Sequence, residues 1–67
     1  MIFVNGSEHE CGAGESVVAV LELLGLSPDA RGVAVAVDGE VVPRTGWDTF
    51  AIADGARVEV LTAMQGG

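Results

Sequence analysis

Five residues, Val33-Ala34-Val35-Ala36-Val37, alternate large and small apolar side chains and run directly into Asp38-Gly39. A period of two places Val33, Val35 and Val37 on one side of an extended chain, and Asp-Gly is a favoured pair for a two-residue hairpin turn. This stretch therefore predicts a strand, a tight reversal and a partner strand over Glu40 to Val42. Pro43 cannot donate to a ladder, so that partner belongs at a sheet edge. The same pattern recurs at both ends. Met1 to Val4 is apolar, Asn5-Gly6 is a turn pair, and Ser7 to Cys11 reads as a polar return strand. Ala53 to Ala56 is a turn, and Arg57 to Thr62 is a final strand with Val58 and Val60 on one face and Arg57, Glu59 and Leu61 on the other.

Between the hairpins the period changes. Val17, Val20, Leu21 and Leu24 fall on one face of an α-helix, and Glu22 points away. Ser16 is placed to cap its N-terminus, with Glu15 favourable beside the positive end of the helix dipole. Gly25 supplies a left-handed stop, and Pro28 follows. The segment from Arg44 to Ile52 predicts irregular structure or a short helical turn. The order is β-β-α-β-β-β, an α+β arrangement with one helix covering one face of the sheet and the other face open.

The chain has 67 residues, enough for one domain that buries only ~60% of its unfolded surface. Such a domain leaves little interior for a private catalytic cavity. Ten acidic residues face three arginines, and the net charge is -7 with no lysine. That surface repels phosphate backbones and anionic membranes, and favours basic protein surfaces. No apolar run approaches the ~20 residues of a membrane span. A single cysteine, Cys11, and the lack of a signal-like N-terminus fit the reducing cytoplasm. Cys11 has no neighbouring cation to make it a reactive thiolate, and reads as an ordinary strand-end residue. His9 lacks partners at metal-ligand spacing, so no metal site is expected. Trp47 and Phe50 read as core or rim packing. Arg44 is open to two readings, a partner contact or a hydrogen bond to loop carbonyls.

The chain ends on Ala63-Met64-Gln65-Gly66-Gly67. Residues 1–63 read as the folded domain and 64–67 as a flexible tail. Glycines without Cβ atoms can thread a slot too narrow for side chains, and four residues from Met64 span roughly 13 Å. The tail can thus carry the Gly67 carboxylate into an active site belonging to another protein. Alternation also puts Phe3 and Leu61 on the open face, where neighbouring apolar side chains would form a partner-contact surface.

Val4-Asn5-Gly6, the run from Arg31 to Arg44, Trp47, and the run from Asp54 to Gly67 together resemble the ThiS family of sulfur carrier proteins, which have the ubiquitin-like β-grasp fold. The resemblance spans nearly the whole chain. Asp38 stands where that family usually has Asn, and Ala56 replaces an acidic residue. The resemblance implies a mixed sheet of about five strands. It also implies a carrier rather than an enzyme, with no cofactor of its own. An E1-like adenylyltransferase, using ATP and Mg, would adenylate Gly67. A sulfur donor linked to a cysteine desulfurase would turn the acyl-adenylate into a thiocarboxylate, and thiazole synthase would take the sulfur for thiamin. Met64, Gln65, Gly66 and Gly67 would enter the partner's active site. The alternatives are a carrier like the small subunit of molybdopterin synthase, a ubiquitin-like protein modifier, and an acidic interaction domain with an inert tail. "LTAMQGG" lacks the aromatic and proline-rich approach of the molybdopterin type, which favours thiamin.

Overall fold

The computed structural model describes residues 1–10, 12–29 and 31–62. Five strands, β1 (Ile2–Val4), β2 (Ser7–His9), β3 (Val33–Val37), β4 (Glu40–Val42) and β5 (Arg57–Thr62), form one sheet in the order β2-β1-β5-β3-β4. Among the described residues a single α-helix, α1 (Val17–Leu23), follows the first hairpin, and a 3-10 turn at Arg44–Gly46 follows the second. The last strand lies at the centre. It runs parallel to β1, with Val4 opposite Val58, and antiparallel to β3, with Val35 opposite Val60. The β-grasp expectation of a mixed sheet with one helix across it is met.

Local chemistry accounts for each element. Asn5 and Gly6 have φ of 49° and 85°, and Asp38 and Gly39 have 52° and 84°. Both pairs adopt the doubly left-handed turn whose twist suits a two-residue hairpin. Ser16 Oγ accepts from the Ala19 N–H at 3.2 Å and caps α1. At the other end Leu26 N–H reaches Leu21 O and Gly25 N–H reaches Glu22 O, with Gly25 at φ 79°. These two bonds define a Schellman motif, which ends the helix where Gly25 was expected to. Seven residues are too few for a helix to persist alone, so α1 depends on the face it buries.

Val17, Val20 and Leu21 of α1 are buried against Ile2, Val4, Val35, Val37, Val42, Val58 and Val60 of the sheet. Helix and sheet do not close this core by themselves. Trp47 and Ile52, from the long connection between β4 and β5, are also buried in it. That connection is laced to the helix side by bonds from Val18 N–H to Trp47 O at 3.1 Å and from Ile52 N–H to Glu15 O at 2.9 Å. Trp47 Nε1 donates to Val42 O at 2.8 Å. Among the described residues no buried side-chain polar atom lacks a partner.

One local expectation changes. The return strand expected to run to Cys11 stops at His9, because β1 offers partners only from Ile2 to Val4; Cys11 itself lies outside the described residues. Gly12 then passes under Ile2 so closely that a Cβ would lie 2.6 Å from Ile2 Cδ1, and its φ is +114°. His9, in the polar return strand, stands opposite Ile2 on the core side of the sheet edge and is half-buried.

Candidate functional site

Residues 63–67 continue from β5, the central strand, whose last residue Thr62 is paired with Val33. Met64, Gln65, Gly66 and Gly67 lie outside the described residues. The site's described part is therefore the platform from which they continue: β5, its neighbours and the open face.

Two side chains hold β5 in ways that turn chemistry alone does not reveal. β1 pairs with β5 only as far as Val4 opposite Val58. The chain then turns at Asn5, whose own N–H donates to Val58 O at 2.9 Å. The Asn5 side chain carries the ladder further. Its Oδ1 accepts from the Val60 N–H at 2.9 Å and its Nδ2 donates to Val60 O at 3.1 Å. A primary amide presents one donor and one acceptor side by side, so it can replace the missing residue of a strand. At the other end of β5, Asp38 Oδ1 accepts from the Arg57 N–H at 2.9 Å and the Asp38 N–H donates to Arg57 O at 2.8 Å. Both turn residues thus clamp the same strand. Asn-Gly and Asp-Gly signalled the turns; the second role depends on contacts 55 and 19 residues away in sequence.

The open face carries Glu8, Phe3, Arg57, Glu59, Leu61, Ala34, Ala36 and Val41, as the strand registers require. Phe3 and Leu61 share this face but are not adjacent. Phe3 stands opposite Arg57 and is half-buried, whereas Leu61 is four residues further along β5, about 13 Å at ~3.3 Å per residue. Leu61 stands opposite Ala34, and Ala36 stands opposite Val41. The contiguous apolar strip is therefore Leu61, Ala34, Ala36 and Val41, crossing β5, β3 and β4. Leu61 is 68% and Val41 72% exposed. Val41 was missed in the sequence reading. The signal was present, since Val42 faces the core and its neighbour must face away. A shallow groove lies beside the strip, lined by Phe3, Gly6, Asp38, Gly39, Arg57 and Glu59.

Arg44 resolves toward the loop. Its Nη1 donates to Pro28 O, and its guanidinium lies 4.4 Å from the Trp47 ring centroid. A cation stacked on an indole face is favourable. Trp47 and Phe50 pack in and against the core. Near the start of β5, the N-terminal ammonium donates to Asp54 Oδ1. That hydrogen bond, and then the charge attraction, holds the Asp54 carboxyl below its ordinary value of 3.8. Among the described residues there is no cluster of three or more metal-ligating side chains. No helix among them is long and apolar enough to cross a membrane.

Comparison with known proteins gives consistent results. The model of the ThiS family matches residues 2–67. The sulfur carrier protein ThiS of Escherichia coli K12 is 32% identical over 98% of this chain and 97% of its own length. A thiazole synthase of Paramagnetospirillum magneticum is 35% identical over 98% of this chain, which spans only 20% of that protein. A crystal structure of the thiamine biosynthesis protein ThiS from Geobacter metallireducens superposes with a TM-score of 0.76 at 35% identity, covering 98% of this chain and 97% of the other. An NMR structure of a thiamine biosynthesis protein from the same organism gives 0.78 at 35% identity, over 98% and 86%.

Proposed function

The chain belongs to the ThiS family, and we propose on that premise that it is a sulfur carrier for thiamin biosynthesis, working through its terminal glycine in the cytoplasm. The observation that carries this reading is the reach of the family match, which runs through the β-grasp domain to Gly67 itself.

The chemistry asks little of the carrier. A carboxylate is a poor electrophile because its charge is delocalised and oxide is a poor leaving group. On an E1-like adenylyltransferase the Gly67 carboxylate attacks the α-phosphorus of ATP and releases pyrophosphate. The resulting acyl-adenylate has AMP as its leaving group. A sulfur donor fed by a cysteine desulfurase carries persulfide sulfur, which two thiol equivalents reduce to hydrosulfide as they are oxidised to a disulfide; the hydrosulfide adds to the acyl carbon and expels AMP. The product is a thiocarboxylate, which gives its sulfur to thiazole synthase. That partner is supported by the Paramagnetospirillum protein, named a thiazole synthase, which contains a stretch similar to this chain. ATP and its Mg are bound by the activating partner. The carrier contributes an acid group on a tail, Met64 to Gly67, whose last two residues have no side chain, and a face by which a partner holds the domain. Leu61, with Ala34, Ala36 and Val41, is the apolar part of that face, and Phe3 flanks it. The surrounding excess of acidic charge steers the domain to basic partner surfaces.

Incubation with an E1-like enzyme, ATP and a sulfide source should raise the intact mass by one oxygen-to-sulfur exchange. Adducts with other proteins would indicate a modifier instead, and no change with a competent enzyme would indicate an inert tail. Deletion of Gly67 should abolish loading while leaving the thermal unfolding midpoint within about 2 °C.

A further inference from the structure

We infer that Asn5 is a positioning residue for tail loading, through its two-point hold on Val60; the inference rests on the carrier reading given above. Val60 is two residues before Thr62, the last residue of β5. On its β1 side β5 has no strand partner after Val58, since the register with β1 ends there. A strand end held on one side only frays more readily, and the tail that follows would start from a spread of positions. The Asn5 amide closes that gap, accepting from Val60 N–H and donating to Val60 O. It can do so because Asn tolerates the left-handed φ of 49° found at this turn.

Asp38 provides the control. It is also a left-handed turn residue, also followed by Gly, and it also bonds a β5 backbone N–H through its side chain, but at Arg57, the end of the strand away from the tail. If Asn5 merely stabilised the domain, removing either clamp would affect loading in proportion to the stability lost. If Asn5 positions the tail, only its loss should matter to loading. The cost should fall on productive docking, since the partner must then order Val60 to Thr62 itself.

The variants are Asn5→Gly and Asp38→Gly, both of which keep a turn able to adopt positive φ. With the E1-like enzyme, ATP and sulfide, Asn5→Gly should raise the apparent KM for the carrier about three- to tenfold with kcat within about twofold, the range expected for one or two lost hydrogen bonds. Asn5→Asp keeps the acceptor for Val60 N–H but not the donor, and should fall between. Asp38→Gly should leave KM within about twofold of wild type even where its unfolding midpoint drops as far. Amide exchange at Val60 and Leu61 should accelerate in Asn5→Gly and not in Asp38→Gly. Unchanged KM in Asn5→Gly, an equal rise in Asp38→Gly, or unchanged exchange at Val60 and Leu61 each overturns the role of Asn5. A wild-type chain that fails to load would overturn the carrier reading instead, with the exchange comparison still deciding whether Asn5 holds the strand end.

Discussion

On one face of the sheet Ile2, Val35, Val58 and Val60 are at most 7% exposed, while on the other Leu61 and Val41 are 68% and 72% exposed. The same strands build both faces, from alternate residues. The first face is closed by α1, Trp47 and Ile52. Among the described residues the second carries small or charged side chains, Ala34, Ala36, Arg57 and Glu59, around its exposed ones, with half-buried Phe3 at one side. A domain of this size needs one well-filled core, and it concentrates that core on one side. This leaves the other side free to tolerate substitution and, on the proposed function, to serve recognition.

The sharpest way to break the contrast is to cut into the closed face. Leu21 is fully buried, and Leu21→Ala should cost about 2–5 kcal/mol. For a chain of this length the total is roughly 3–10 kcal/mol, so chemical denaturation should find the variant close to unfolded. On the open face Leu61→Asp should change stability by about 0.5 kcal/mol or less, yet weaken loading of Gly67 by the activating enzyme. Phe3→Asp sharpens the boundary between the two faces. Phe3 is half-buried, and retention of the fold with weakened partner binding would place it with Leu61, whereas an unfolded variant would place it with the core. The smallest effect belongs to the exposed Asp54 pair. Asp54 has a lowered folded-state value, so its contribution is present above 3.8 and is lost as pH falls from 3.8 through the folded value. Acid titration of Asp54→Asn should show a slightly shallower loss of stability over that window, and a steeper one would contradict the pairing.

The two hairpin turns show how far local patterns reach. Asn5-Gly6 and Asp38-Gly39 were legible because a doubly left-handed turn admits few residue types. The helix was legible from its apolar spacing, the Ser16 cap and the Gly25 stop. Assignment of residues to faces followed from alternation, which is why Leu61 and Phe3 could be put on the open side. The spacing between them could not be read, because it depends on the register of β1 against β5. Nor could the clamp from Asn5 to Val60, the hydrogen bond from Trp47 to Val42 O, or the part that Trp47 and Ile52 take in covering the core.

By itself the amino-acid sequence determined the number of strands, the turns, the helix ends and the acidic charge, since each arises from interactions over a few residues or from a simple count. Only the tertiary structure decided that the last strand is the central one, parallel to the first, and that a turn amide fastens it two residues before its end. Strand order and cross-strand bonds join residues more than fifty positions apart, and their geometry is set by how one helix, one tryptophan and five strands share a single core.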